Sequence, residues 1–158
     1  RESVEMMHRI ALATERLFKQ RSRNHVAVEA AGVSSGDFEE ITEVTAKSAA
    51  AMADELGAKM IVVATASGKT ALCVSKNRRC VPTVGVSNSE ITLRRMCLYW
   101  GVVPVAGVPT HDHAALLDVV VEKARTAGFL THGDRIVLMG GTGLQRTRHN
   151  VIVVHELE

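Results

Sequence analysis

Apolar residues along the chain follow two spacings, one typical of helices and one typical of buried strands. Apolar positions recurring every three or four residues predict helices over residues 2–20, 37–56, 68–76, 87–100 and 112–127. Short β-branched apolar runs predict strands over residues 59–64, 81–86, 102–105, 135–139 and 151–154. Because strands and helices alternate, the pattern predicts a largely parallel sheet that is covered by helices on both faces.

The last two predicted strands have no helix between them, so they are expected to be antiparallel neighbours with one strand at an edge. The predicted fold class is therefore α/β, a three-layer sandwich around a five-stranded, mostly parallel sheet with an antiparallel edge strand. In such sheets ligands bind beyond the carboxyl ends of the parallel strands. The loops that follow residues 64 and 139 are expected to meet at that end.

The chain divides into three predicted parts. Residues 1–20 form a helix that begins without a capping signal, residues 21–36 form a polar and then small-residue connection, and residues 37–158 form the α/β domain. The abrupt start favours a fragment of a longer protein over a complete one.

Composition narrows the class of protein. The 158 residues are 46% apolar with a formal net charge of +2, which indicates a globular protein and gives no support to nucleic-acid binding. No apolar span is long enough to suggest a membrane helix. The three cysteines form no Cys-x-x-Cys pair, so neither a disulfide framework nor a zinc site is indicated, and we expect a cytoplasmic location.

The loop between the first predicted strand and the following helix has the residues of a phosphate-binding site. Gly68 allows close approach of the backbone to an anion, and a helix that begins there points unpaired N–H groups at it. Thr65, Ser67 and Thr70 add hydroxyl donors, and Lys69 adds a positive charge. The alternative is an ordinary strand-to-helix turn whose hydroxyls cap the helix.

This loop is not a nucleotide-binding P-loop. That motif requires a glycine where Val63 stands, so the Walker pattern fails at one of its required residues. The remaining pattern suits one phosphate group and not a triphosphate with its metal ion.

A second glycine-containing segment, Gly141-Thr142-Gly143, begins like a dinucleotide fingerprint. The third glycine position is Arg146 and no helix follows, which disfavours dinucleotide binding. The segment is either a flap over a ligand or a long hairpin loop. Arg146 and Arg148 either contact a second phosphate or are solvated.

His111-Asp112-His113 has the residue types of a metal site, but it lies at a predicted helix start, where Thr110 or Asp112 is expected to cap the helix. No Ser/His/Asp arrangement can be assembled. We therefore predict no catalytic and no metal-binding residue in the chain.

Several runs resemble the C-terminal domain of pyruvate kinase. They are Ser67-Gly68-Lys69-Thr70-Ala71, Val74-Ser75-Lys76-Asn77-Arg78, and the run from Leu93 to Val105 with its Met96-Cys97-Leu98-Tyr99-Trp100-Gly101 core. Lys123-Ala124-Arg125, Gly133-Asp134 and a late glycine-rich loop extend the resemblance. The opening run from Val4 to Ala11 resembles the last helix of that family's barrel domain.

The resemblance implies an effector-binding domain without catalytic machinery, because phosphoenolpyruvate, the nucleotide, magnesium and potassium bind the parent's barrel and lid domains. It implies that Thr65, Ser67, Gly68, Lys69 and Thr70 hold the phosphate of a sugar phosphate or nucleotide monophosphate. The segment containing Gly141, Thr142, Gly143 and Arg146 would close over that effector. It also implies a homo-oligomer, typically a tetramer, and contact with the barrel domain of the same parent chain.

The chain departs from the family pattern at three places. One is the helix after Asp112, where Ala114 and Ala115 leave no evident second basic contact. Arg79 stands where the family often has proline, and Thr147-Arg148 replaces a common Thr-Asn pair. The leading hypothesis is the regulatory domain of a pyruvate kinase, whose parent transfers a phosphoryl group from phosphoenolpyruvate to ADP. The alternative is a free-standing phosphometabolite-binding domain without catalysis.

Overall fold

A computed structural model describes residues 2–22, 37–108, 113–141 and 150–158. The chain forms two compact units, Arg1–Val33 and Ser34–Glu158. The first unit contains helix α1 (Glu2–Ser22), whose side chains from residue 2 to residue 15 are all exposed.

The second unit holds the predicted alternation of strands and helices. Its described elements are α2 (Asp37–Glu55), β1 (Met60–Ala64), α3 (Lys69–Lys76), β2 (Thr83–Val86), α4 (Glu90–Met96), β3 (Val102–Val105), α5 (His113–Thr126), β4 (Arg135–Gly140) and β5 (Val151–Glu156). Within the described residues, no helix is both long and apolar enough to cross a membrane.

The five strands form one sheet in the order β3-β2-β1-β4-β5. The first four strands are parallel, and β5 pairs antiparallel with β4 at the edge, as predicted. From β1 the chain moves outward to β2 and β3, and then crosses back to the other side of β1 to form β4. The change of direction therefore lies between β1 and β4, at the position where open α/β sheets bind their ligands.

Two layers of helices cover the sheet, which confirms the three-layer prediction. Alanines of α2 pack with Val74 of α3 against Ile61, Val63 and strand β4 on one face. On the other face, Leu116 and Val120 of α5 pack against Val62 and β4. Strand β1 is buried over Met60 to Val63 because helices cover both of its faces.

Helix α4 lies close to the sheet because β2 carries a glycine at the contact. A side-chain carbon on Gly85 would lie 2.6 Å from Sδ of Met96, a distance too short for two carbon or sulfur atoms. Met96 is fully buried and packs with Ala71 of α3 and Val102 of β3. The absence of a side chain at residue 85 therefore sets how near α4 sits to β2.

Both ends of α4 differ from the predicted range of residues 87–100. The helix ends at Met96 and not near residue 100, and Leu98 and Trp100 are 86% and 46% exposed. Tight turns continue the helical spacing past the helix end, since the N–H of Leu98 donates to Arg95 and that of Tyr99 to Met96. The capping residue is Ser89, whose Oγ accepts the N–H of Thr92.

Candidate functional site

The Thr65–Thr70 loop begins at the carboxyl end of the central strand, as the sequence predicts. Ala64 ends β1 beside Val86 of β2, and the N–H of Thr65 donates to the Val86 carbonyl over 2.9 Å. On the other side, Val63 is paired with Met139 of β4. The loop therefore leaves the sheet between two strands that run parallel to β1 and end at the same level.

Two hydroxyl groups of the loop accept N–H groups at the start of α3. The buried N–H of Gly68 donates to Oγ1 of Thr65 over 3.0 Å, and the exposed N–H of Lys69 donates to Oγ of Ser67 over 3.4 Å. Gly68 has φ +82° and ψ −6°, a left-handed conformation that favours glycine. This conformation turns the chain from the strand into the helix.

The five predicted residues fall into two groups by exposure. Thr65 and Thr70 are only 4% and 3% exposed, and Gly68 is also buried, so these residues shape the loop. Ser67 and Lys69 are exposed. The Ser67 hydroxyl, the Lys69 ammonium group and the first N–H groups of α3 are therefore the groups of the loop best placed to contact an anion.

The bond between Ser67 and the Lys69 N–H lies at the long end of the hydrogen-bond range. An anion oxygen can replace that hydroxyl as the acceptor at a small cost in free energy, because the existing hydrogen bond is weak and exposed. The bond from Gly68 to Thr65 is shorter and buried, so we assign it to the framework of the loop and not to ligand exchange.

Helix α4 and the turn that follows it contribute residues to this region that the sequence pattern did not indicate as part of the site. Thr92 donates its hydroxyl to the carbonyl of Ala66 over 2.8 Å. A side-chain carbon on Gly68 would lie 3.3 Å from Cγ2 of Thr92, and 3.6 Å from Cγ of Met96 and from the hydroxyl oxygen of Tyr99. A helix 20 residues further along the chain thus packs directly against the loop, a contact that no local motif indicates.

The glycine-rich segment begins beside the Thr65–Thr70 loop. Strand β4 ends at Gly140, Gly141 follows it, and the N–H of Asn150 returns to the Gly140 carbonyl over 3.1 Å. Thr142, Gly143 and Arg146 lie outside the described residues. The structure therefore places the two ends of this segment at the carboxyl end of β4, next to β1.

A separate surface lies at the other end of α3. The guanidinium carbon of Arg78 lies 5.4 Å from the ring centroid of Trp100, and Oγ of Ser75 donates to the Trp100 carbonyl over 2.7 Å. These residues border a pocket of about 540 Å³, which is also lined by Leu72, Lys76, Leu98 and Tyr99. This contact and the bond from Thr92 to Ala66 join α3 and its preceding loop to the α4 region at both ends of α3.

The described residues contain no group of three or more His, Cys, Asp and Glu that could hold a metal ion. His111 and Asp112 lie outside those residues, as does the side chain of His113, so the metal and capping interpretations of that segment remain predictions. Cys73, Cys80 and Cys97, which all lie within the described residues, are not joined by disulfide bonds.

Comparisons with known proteins identify relatives along nearly the whole chain. A family model described as "Pyruvate kinase, alpha/beta domain" matches residues 43–155. The pyruvate kinase of Geobacillus stearothermophilus is 32% identical over 98% of this chain, and that of Sporosarcina psychrophila is 33% identical over 89%. The matched regions are 25% and 23% of those two proteins, so the chain spans about a quarter of their length.

Solved structures show the same fold. A crystal structure of a pyruvate kinase from Cryptosporidium parvum superimposes with a TM-score of 0.70 at 19% sequence identity. The superposition covers 80% of this chain and 24% of the other.

Proposed function

Because the chain belongs to the pyruvate kinase alpha/beta-domain family, we propose that it is the C-terminal regulatory domain of a pyruvate kinase and binds a phosphorylated allosteric effector. The phosphate group of the effector binds at the Thr65–Thr70 loop. The effector is a sugar phosphate or a nucleotide monophosphate, and the segment from Gly141 to Arg146 closes over it.

The observation that carries this proposal is the position and build of the loop. It leaves the central strand at the change of direction between β1 and β4, and it leads through a left-handed Gly68 into the N-terminus of α3. The helix N-terminus supplies N–H donors and a partial positive charge, and the exposed Lys69 supplies a full one. The Thr65 hydroxyl accepts the Gly68 N–H and so stabilises the turn.

The parent enzyme transfers a phosphoryl group from phosphoenolpyruvate to ADP and gives pyruvate and ATP. In this proposal the catalytic groups, magnesium and potassium belong to the barrel domain of the same parent chain, and the protein acts in the cytoplasm. The α/β domain contributes the effector site, and its edge strand contributes a contact between subunits.

The edge strand supports the subunit contact. Val153 and Val154 of β5 point to opposite faces of the sheet and are 40% and 42% exposed. An edge strand presents unpaired backbone groups that a second copy of the same strand can pair with. A two-fold symmetric contact is therefore proposed at β5.

Calorimetric titration of the 158-residue chain with inorganic phosphate, ribose 5-phosphate, fructose 1,6-bisphosphate and AMP tests the effector site. Lys69→Ala should weaken the tightest of these ligands by about tenfold or more, since a charge-assisted hydrogen bond contributes about 1.5–3 kcal/mol. Ser67→Asp should weaken it further because it sets a negative charge against the phosphate.

Lys76→Ala is the matched control. Lys76 is also exposed and lies on the same helix, but it is in the last turn and not the first. Equal affinity in the wild type and in both loop variants would show that the phosphate does not bind at this loop. Equal loss of ligand affinity in Lys69→Ala and Lys76→Ala would show that Lys69 acts only through general charge attraction and not through a specific contact.

A further inference from the structure

Thr92 makes a contact whose consequence for the loop goes beyond packing. The residue is 95% buried, and its hydroxyl donates to the Ala66 carbonyl over 2.8 Å across 26 residues of chain. Ala66 itself is exposed and stands in the loop between Thr65 and Ser67. A buried hydroxyl on α4 therefore holds one peptide group of the proposed phosphate site.

The orientation of that peptide group matters for an anion. In a trans peptide the C=O and the following N–H point in opposite directions. Because the Ala66 carbonyl points toward α4, the N–H of Ser67 points to the opposite side of the loop. If this peptide rotated, the loop would turn a carbonyl dipole toward the anion in place of an N–H group, and the carbonyl would repel it.

Thr92 is itself held in place by the first turn of α4. Oγ of Ser89 accepts the Thr92 N–H over 3.3 Å, and Oγ of Ser87 accepts the Ser89 N–H over 3.2 Å. Ser87 is 1% exposed and directly follows β2. A chain of three hydroxyl side chains thus connects the end of β2 to the Ala66 carbonyl.

From this geometry we infer that Thr92 is a positioning residue for the phosphate site: it fixes the Ala66–Ser67 peptide so that the Ser67 N–H serves as a donor to the phosphate. The inference rests on the proposed function of the loop. In this inference α4 raises the affinity for the effector indirectly, because Thr92 orients the loop peptide and does not itself contact the effector.

Thr92→Val tests the assignment, because valine keeps the methyl group that packs at Gly68 and replaces only the hydroxyl, by a second methyl group. Titration of the 158-residue chain with the phosphate ligand that the wild type binds best should show a Kd raised about tenfold. Thr92→Ser retains the hydroxyl and should restore the Kd to within about threefold of the wild type. This rescue separates the hydrogen bond from side-chain volume.

Ser75→Ala is the matched control. It also removes a hydroxyl that donates to a backbone carbonyl of the α4 region, at 2.7 Å, but at the other end of α3. The two variants should lose similar stability, and only Thr92→Val should lose phosphate affinity. A Kd in Thr92→Val equal to that of the wild type, or an equal loss in Ser75→Ala, would overturn the inference while leaving the proposed function intact.

NMR of the ligand-free chain separates failure of the inference from failure of the proposed function. The Ala66 carbonyl carbon and the Ser67 amide should shift in Thr92→Val and stay near their wild-type positions in Thr92→Ser and Ser75→Ala. If no phosphate ligand binds the wild type, the proposed function fails, and positioning of a phosphate donor fails with it. If ligands bind but these two resonances do not respond to Thr92→Val, only the role of Thr92 is refuted.

Discussion

Gly68→Ala and Gly133→Ala form a pair that separates backbone strain from the packing of the Thr65–Thr70 loop. The two glycines have nearly the same φ, +82° and +81°. A side-chain carbon on Gly133 would have no atom within 4 Å, whereas one on Gly68 would lie 3.3 Å from Thr92 and 3.6 Å from Met96 and Tyr99. Alanine at either position therefore meets a penalty for positive φ, and only Gly68→Ala also meets a crowded site.

The expected magnitudes follow from these distances. A left-handed conformation costs an alanine about 1 kcal/mol more than a glycine, so Gly133→Ala should lower the free energy of unfolding by about that amount. In Gly68→Ala the Thr92 methyl must also move by a few tenths of an ångström, and its hydroxyl bond to Ala66 opposes that movement. We expect a further loss of about 1 kcal/mol, giving about 2 kcal/mol in total.

Urea unfolding followed by the fluorescence of Trp100 measures both losses, since this is the chain's one tryptophan and it lies in the second unit. Phosphate titration of the same samples should show weaker binding by about tenfold in Gly68→Ala and no change in Gly133→Ala. Equal destabilisation by the two substitutions would show that the loop is not crowded at Gly68. Wild-type phosphate affinity in Gly68→Ala would show that the turn geometry does not define the site.

Two further outcomes are expected. Light scattering at micromolar concentration should show an oligomer. Val153→Lys should weaken it, because lysine disfavours pairing of an edge strand, and Val103→Lys on the opposite edge strand should leave it intact. A purely monomeric wild type would refute a contact at β5. The Thr131 N–H donates to the Asp134 carboxylate over 2.8 Å and lowers the pKa of this group below its ordinary value of 3.8. The ionised carboxylate therefore stabilises the fold above about pH 3.8, and this stabilisation is lost as the pH falls through the lowered pKa. Asp134→Asn should therefore flatten the acid dependence of the unfolding midpoint below about pH 4, unlike the surface control Asp118→Asn, and an unchanged acid profile would contradict the assignment.

The order of elements was predictable because each strand and helix carries its own periodicity. The run from Met60 to Val63 is buried on both faces, and its continuous apolar character is a direct consequence. The antiparallel edge was predicted because the sequence between residues 139 and 151 shows no helical periodicity, and β5 does pair antiparallel with β4. These features depend on local sequence, so sequence alone was enough to predict them.

The contacts between elements were not predictable in the same way. The sequence pattern placed the start of α4 at residue 87, but Ser89 makes the capping bond and the helix begins at Glu90. The end of α4 was misplaced because the turns after Met96 keep nearly helical spacing. Only the packing of α4 against β2 and α3 distinguishes these alternatives.

Arg79 shows how structure explains a departure from the family pattern. Its guanidinium group contacts the Asp54 carboxylate at 3.0 Å, and both side chains are partly buried. The ion pair joins the segment after α3 to the last turn of α2. For the Thr65–Thr70 loop, the sequence predicted residue types that suit an anion, but it did not indicate that Thr92 holds the loop, because that bond joins residues 26 positions apart.

The order of the strands also constrains how the domain folds during synthesis. Strand β1 pairs with β2, which follows it closely, and with β4, where Met60 lies opposite Ile136. A nascent chain can therefore form the β1–β2–β3 half of the sheet while the other side of β1 is still unpaired, and this apolar edge is open to aggregation until β4 leaves the ribosome. Parallel pairing over so long a stretch of chain makes closure of the sheet by β4 a slow step, and a chain that stops before residue 135 cannot complete its central strand.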